Sequence, residues 1–284
     1  MESRNTIGID LGGTNIRAGV VVNNELSHIT SLRVNNTGSI NDILEQLFSL
    51  TDQIVNSSVD AIGIGVPGLV DQEQGIVYDV MNIPSWQQVP LRRLIEERYK
   101  IPVLINNDAN CFALGEFYFG KGRGRNSMVG LTIGTGLGSG LILNKKLYSG
   151  ANCGAGEFGM ADYLDKCYEY YGSGQFFQNV YKMDGEVVFK LAEEGDDRAI
   201  KMYEEMGRHL GNAIKMIIYA LDPELIVLGG SVRKAYPLFK KTMWEQIHKS
   251  AFKKSAERLQ IEISELENSG ILGAAALYYD ASGS

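Results

Sequence analysis

The chain has 284 residues, 44% hydrophobic and 21% charged, with a formal net charge of −7. Such a composition buries a substantial core and excludes a disordered chain. An acidic balance without a basic run speaks against nucleic acid or an anionic membrane surface, and no stretch approaches the roughly 18–20 apolar residues of a membrane helix.

The opening MESRNTIGID has no apolar run after its charges, so no signal peptide is expected. From Ile7 to Val22 the segment IGIDLGGTNIRAGVVV alternates apolar and small residues around Gly12 and Gly13. It predicts a strand, a glycine turn and a second strand. Asn23-Asn24 makes another turn and ELSHITSLRV a third strand. In SINDILEQLFSLTDQIV the apolar residues Ile43, Leu44, Leu47 and Phe48 recur at helical spacing, and Ser39 and Asp42 stand as a capping pair. VDAIGIGVPG reads as a buried strand closed by a Pro-Gly turn. A helix over Leu91–Tyr99 then leads to the strand IPVLI and the polar cluster NNDAN.

The second half starts the pattern again. MVGLTIGTGLGSGLILNKKLYSG lines up turn for turn with the N-terminal segment. A long amphipathic helix over about Asp196–Leu221, a strand LIVLGG, a helix from about Lys234 to Phe252, a strand LQIEIS and a last helix near Gly270 follow. The tail DASGS reads as frayed. The organisation is α/β, in two related halves without a low-complexity linker. The expected division is 1–115 and 116–284, with the C-terminal helix packed on the first half. Three cysteines without a spaced framework (Cys111, Cys153 and Cys167) point to reduced thiols and a cytoplasmic setting.

The two glycine turns carry the chemistry. Strand-like residues follow each, whereas a helix follows the glycines of a dinucleotide fold or a P-loop, so both of those folds are disfavoured. Asp10 stands at the mouth of the first turn, where a carboxylate would repel phosphate. A divalent cation between the two resolves the conflict, and Mg²⁺ takes one or two carboxylates plus waters and phosphate oxygens. Backbone N–H groups and the hydroxyls of Thr14 and Thr135 would then hold phosphates directly. Either turn taken alone could simply reverse a hairpin.

The segments DLGGTNIR, GIGVPGLVD, NNDANCFALGE, LTIGTGLGSG, GAGEFG and LDPELIVLGG, and SGILGAAAL near the end, resemble in order the ROK family of bacterial sugar kinases and repressors. The resemblance implies the actin/hexokinase-like (ribonuclease H-like) fold, two lobes with an active-site cleft between them, and binding of ATP, Mg²⁺ and a sugar. It implies phosphate and nucleotide contacts from Asp10, Gly12, Gly13, Thr14, Asn15 and Arg17, from Gly134, Thr135, Gly136 and Gly138, and from Gly229 and Gly230. Gly229-Gly230 would let adenosine approach the backbone; a plain strand-to-helix turn is the other reading. Sugar contacts implied are Pro67, Asn82, Asn107, Asp108, Glu157 and Glu169. The three histidines, His28, His209 and His248, lie in no motif, so the base for a sugar hydroxyl falls to a carboxylate, and Asp108 matches the family's base. Its other reading is a helix N-cap. Trp86 stands either at the mouth of the cleft or in the core.

One segment departs from the family. Most of its members carry a His and a cysteine cluster that bind a structural zinc, where this chain reads EFGMADYLDKCYEYYGSG. Met160 replaces the His and only Cys167 remains, and one thiolate cannot make a tetrahedral site. A zinc-free chain is expected, with Met160, Tyr163, Leu164, Tyr168, Tyr170, Tyr171, Phe176 and Phe177 fixing the loop by packing. The expected activity is phosphorylation of a hexose at its 6-hydroxyl, glucose by default. N-acetylmannosamine, N-acetylglucosamine, allose, fructose, a β-glucoside and a non-catalytic sugar-sensing protein stand as alternatives. A repressor's helix-turn-helix has no room before Ile7. A homodimer is expected.

Overall fold

The computed structural model describes residues 4–80 and 82–282. The start of MESRNTIGID and the last two residues of DASGS lie outside the described residues. β1 (Asn5–Leu11), β2 (Asn15–Val22) and β3 (Glu25–Arg33) pair antiparallel in sequence order. α1 (Ile40–Thr51) starts at a capping box in which Ser39 Oγ accepts from Asp42 N and the Asp42 carboxylate accepts from Ser39 N at 2.7 Å. β4 (Ala61–Val66) is buried at every position, as its run of small and β-branched residues suits a strand covered on both faces. A small three-stranded sheet of β5 (Leu69–Asp71), β6 (Ile76–Tyr78) and β7 (Gln88–Val89) precedes α2 (Leu91–Tyr99), β8 (Val103–Asn107) and α3 (Asp108–Phe119).

The pattern then recurs with β9 (Met128–Ile133), β10 (Leu137–Leu143) and β11 (Lys146–Tyr148). A two-residue-stranded hairpin, β12 (Asp162–Tyr163) and β13 (Lys166–Cys167), runs into α4 (Tyr168–Gly172). Next come α5 (Gly185–Glu193), the 25-residue α6 (Asp197–Leu221), β14 (Leu225–Gly229) and α7 (Tyr236–Ile247). The chain closes with α8 (Lys253–Arg258), β15 (Gln260–Ile263) and α9 (Ser269–Ser282). Asp196 caps α6, accepting from Ala199 N at 2.8 Å.

The duplication read in the sequence is a duplication of topology. One sheet has the strand order β3-β2-β1-β4-β8 and the other β11-β10-β9-β14-β15. In each, three antiparallel strands are followed by two parallel ones, β4 and β8 in the first and β14 and β15 in the second. The chain forms two compact units. One takes in Met1–Gly124, Gly140–Ala155 and Glu265–Ser284, and the other Arg125–Ser139 and Gly156–Ser264. Where the sequence suggested a division between 115 and 116, α3 runs unbroken to Phe119 and the first unit continues to Gly124.

Of the two readings of Trp86 the core one holds, since it is fully buried in the first unit's cluster with Val80 and Ile83. Two expectations are corrected. The single helix drawn over Lys234–Phe252 is a 3₁₀ turn (Ser231–Ala235), α7 and the separate α8. Pro237 sits in the first turn of α7, where its missing N–H costs nothing. Asp280–Ser282 belong to α9 rather than to a frayed tail.

In the first unit, α9 lies directly on the sheet. A Cβ on Gly8 would stand 1.9 Å from the Ile271 carbonyl oxygen, and one on Gly63 would stand 1.8 Å from that of Ala274. Gly8 and Gly63 are register partners of β1 and β4, so the helix rests on paired glycines. On its other side a Cβ on Gly273 would meet the Cys111 carbonyl oxygen at 1.6 Å, which brings α3 equally close. Gly273→Ala is expected to destabilise the protein by about 2 kcal/mol or more, the scale of overpacking a tight interface. Urea unfolding checks this, and an unchanged midpoint would contradict it.

Candidate functional site

The first glycine turn joins β1 and β2, with the Gly12 N–H donating to the Asn15 carbonyl at 2.9 Å. Asp10 and Arg17 face each other across this hairpin and form an ion pair at 2.5 Å. The start of α9 holds the carboxylate from behind, since a Cβ on Gly270 would come within 2.8 Å of it. Thr14 and Asn15 are exposed at the tip. Asn82, in the left-handed region at φ 66°, lies over the turn, and a Cβ on Gly13 would meet its Nδ2 at 2.8 Å. Gly13 is therefore required by close approach as much as by chain reversal.

β8 delivers Asn107 and Asp108. Asn107, extended at φ −64° and ψ 148°, is the N-cap of α3, accepting from Ala109 N at 2.8 Å, and its Nδ2 donates to the Gly68 carbonyl next to Pro67 at 3.3 Å. The capping role left open for Asp108 thus belongs to its neighbour. Asp108 is exposed on the first turn of α3, its Oδ1 accepting from the same Ala109 N–H at 2.8 Å, where the helix N-terminus favours negative charge. Behind it lies a buried amide network that the sequence reading missed. Asn106 Oδ1 accepts from Asn107 N and from Asn110 Nδ2, and Asn106 Nδ2 donates to Ser149 Oγ at 3.0 Å. No local spacing rule reaches it, because Asn106 ends a strand and Asn110 lies in the helix that follows.

Two buried thiols line the same region. Cys111 Sγ lies 3.1 Å from where a Cβ on Gly65 would stand, and burial first, then the charges of Asp108 and Asp10, raise its pKa well above the ordinary value. Burial pushes Cys153 up to about 11.

In the second unit the equivalent turn joins β9 to β10. The Gly134 N–H donates to the Gly136 carbonyl at 3.0 Å, Thr132 Oγ1 donates to the Gly138 carbonyl at 3.2 Å, and Thr135 is exposed at the tip. Glu169 on α4 buttresses this turn, its Oε2 accepting from Leu137 N at 2.9 Å. Glu157 is exposed, yet partial desolvation and then the charge of Glu169 raise its carboxyl above the ordinary value. Gly230, at φ 77°, passes so close to β9 that a Cβ would stand 2.3 Å from the Ile133 carbonyl oxygen. Gly174, unnoticed in the sequence, donates its N–H to the Gly134 carbonyl at 2.7 Å. These segments border a cavity of about 620 Å³. Gly134, Thr135, Gly174 and Ser231 form its polar edge, and Phe177, Phe189, Tyr203 and Val232 its apolar wall.

The candidate residues thus fall into two sets. Asp10, Gly12, Gly13, Thr14, Asn15, Arg17, Pro67, Asn82, Asn107 and Asp108 belong to the first unit. Gly134, Thr135, Gly136, Gly138, Glu157, Glu169, Gly229 and Gly230 belong to the second. The loop expected to replace a zinc site is aromatic, with Phe176 and Phe177 buried and Tyr163 stacked on Tyr168 at 4.3 Å. Met160 and Leu164 do not share in the packing, being 51% and 68% exposed. Among the described residues no three His, Cys, Asp or Glu side chains are grouped to hold a metal ion. A tetrahedral zinc does not fit this donor set. Mg²⁺, which needs only one or two carboxylates beside water and phosphate, fits at Asp10.

A duplicated α/β fold with a phosphate-type turn in each half defines an actin/hexokinase-like protein. The chain belongs to the ROK family, whose sequence model matches residues 6–281. It is 28% identical over 313 residues to a glucokinase of Thermotoga maritima, covering 98% of each chain. It is also 28% identical to a xylose repressor of Caldicellulosiruptor bescii, over 95% of this chain and 77% of that protein. The crystal structure of a ROK family glucokinase from Streptomyces griseus with glucose and AMPPNP has a TM-score of 0.80 at 27% identity, covering 96% of this chain and 98% of that one. Among the described residues no helix is long and apolar enough to cross a membrane.

The burial behind Asp108 has a direct chemical consequence. Of the three free cysteines, Cys111 and Cys153 are buried and Cys167 is half-buried. At about pH 8 an aromatic disulfide reagent is expected to modify Cys167 first and the other two only in denaturant. Equal reaction of all three in the folded protein would contradict the packing.

Proposed function

We propose that this chain transfers the γ-phosphoryl group of ATP to the 6-hydroxyl of a hexose, with glucose the first substrate to test. The chain is a sugar kinase of the ROK family; the sugar, the position phosphorylated and the cation are the proposed part. The observation that carries the reading is the pairing of two glycine turns, one beside Asp10 and one ending in Thr135, with an exposed carboxylate, Asp108, at a helix N-terminus.

Each group then has a task. Asp108 accepts the proton of the sugar hydroxyl as that oxygen attacks the γ-phosphorus, and the buried Asn106–Asn110 network keeps its backbone fixed. Asn82, Asn107, the Pro67 turn, Glu157 and Glu169 are the groups that would hold sugar hydroxyls. At the tips of the two turns, backbone N–H groups about Thr14 and Thr135, with the hydroxyls of those two residues, donate to phosphate oxygens. The cavity lined by Gly134, Thr135, Gly174 and Ser231, the residue after the Gly229-Gly230 turn, takes adenosine. Mg²⁺, when bound, neutralises phosphate charge, and Asp10 is the carboxylate that would hold it through water or the phosphates. The protein works without structural zinc, in the cytoplasm, as a homodimer.

A coupled assay of ATP consumption across glucose, N-acetylmannosamine, N-acetylglucosamine, allose, fructose and a β-glucoside tests the reading and names the sugar. Consumption with none of them would favour a sugar-sensing protein, the role of the xylose repressor it also resembles. Asp108→Asn keeps the shape and removes the base, so kcat should fall by about 10² or more with sugar binding partly retained. Turnover within a few-fold of the wild type would show that another group takes the proton.

A further inference from the structure

Glu157 and Glu169 sit on a segment with little regular structure to hold it. Glu157 opens a single 3₁₀ turn (Phe158–Met160), and Glu169 is the second residue of the five-residue α4. The hairpin between them is minimal, with Asp162 paired to Cys167, Tyr163 paired to Lys166, and Leu164 at φ 55° in the bend. Two-residue strands and one helical turn do not fix a carboxylate by themselves.

Beside the bond from Leu137 N to Glu169, rings of this segment converge on one side chain of the long α6. His209 lies near the middle of α6, its side chain only 14% exposed. Tyr163 meets it edge-on at 5.7 Å between centroids, Tyr171 at 5.0 Å and Phe176 at 5.7 Å. These three rings come from the hairpin, from α4 and from the segment just beyond it. Tyr163 also stacks on Tyr168, the residue before Glu169, at 4.3 Å and 14°. The polar contacts order the same pieces. Asn212 Nδ2 donates to Tyr163 Oη at 2.8 Å, which leaves the phenolic proton for His209 Nδ1 at 3.1 Å. Burial holds the His209 pKa below its ordinary value, which keeps Nδ1 an acceptor at neutral pH. The nearby Glu205, whose Oε1 is 3.8 Å from Nε2, opposes that shift, and Arg208 adds to it.

We infer that His209 and Tyr163 are positioning residues for sugar binding, locking the segment that bears Glu157 and Glu169 onto α6. Neither touches the reacting atoms. The inference rests on the proposed role of the two glutamates and adds the pair that sets their geometry.

The test compares Tyr163→Phe, which keeps the stack and loses the hydroxyl, and His209→Leu, which loses ring and acceptor, with His209→Asn, which restores an acceptor near Nδ1. In the first two, KM for the sugar should rise about tenfold, the worth of one well-placed hydrogen bond, while KM for ATP stays at the wild-type value. His209→Asn should recover part of that loss. Hydrogen exchange, which needs no activity, should accelerate across 156–174 in the first two variants and stay unchanged in the core of α6. Unchanged exchange over 156–174 would overturn the inference, as would KM values for sugar and ATP that rise together. Should the wild type phosphorylate no hexose, the proposed function fails, and the exchange measurement still decides the lock.

Discussion

The contact on which most of the first unit depends is the direct seating of α9 on backbone. Paired glycines in β1 and β4 remove the side chains that would keep the helix about 10 Å from the sheet, and Gly273 does the same toward α3. Three elements are thereby locked through carbonyl oxygens rather than through side chains that can change rotamer. Two of them carry candidate carboxylates. Asp10 ends β1 with the first turn of α9 at its back, and Asp108 begins α3, whose next turn presents the Cys111 carbonyl to Gly273. A glycine-packed scaffold of this kind has little freedom to relax, so the backbone positions of Asp10 and Asp108 are closely fixed.

The second unit holds its functional turn differently. Gly134–Gly136 is clamped by Gly174 from one side and by the Glu169 carboxylate from another, and the Gly230 backbone runs close against the end of β9. One carboxylate oxygen of Glu169 is thus committed to the turn, which ties α4 to the β9–β10 turn within one unit. Aromatic packing supplies the stiffness here. The rings of Tyr163, Tyr168, Tyr171 and Phe176 pack against one another and against His209 across this segment.

Much of this was legible in the sequence because it is local. The capping box of α1 and the spans of α2 and α6 came from short-range rules, and the duplication came from turn spacing. Asp10 and the two turns were found by asking how charge and phosphate could share a place. What escaped were contacts between distant segments. The capping of α3 by Asn107 rather than Asp108 depends on where β8 ends. The Asn106–Ser149 bond spans 43 residues, and His209 looked unremarkable on its helix until the loop folded over it. Trp86 and the exposed Met160 and Leu164 show the same limit, since apolar character does not say which residues find a partner.

On the proposed function these turns and carboxylates perform phosphoryl transfer to a sugar hydroxyl and do not merely bind. Phosphorus NMR of the purified protein with ATP, Mg²⁺ and glucose observes that transfer directly. The expected result is loss of the γ-phosphate signal matched by a sugar phosphomonoester, split by the two protons of C6, and by ADP in equal amount. ADP accompanied only by inorganic phosphate, or ATP left intact with every sugar that binds, would contradict it.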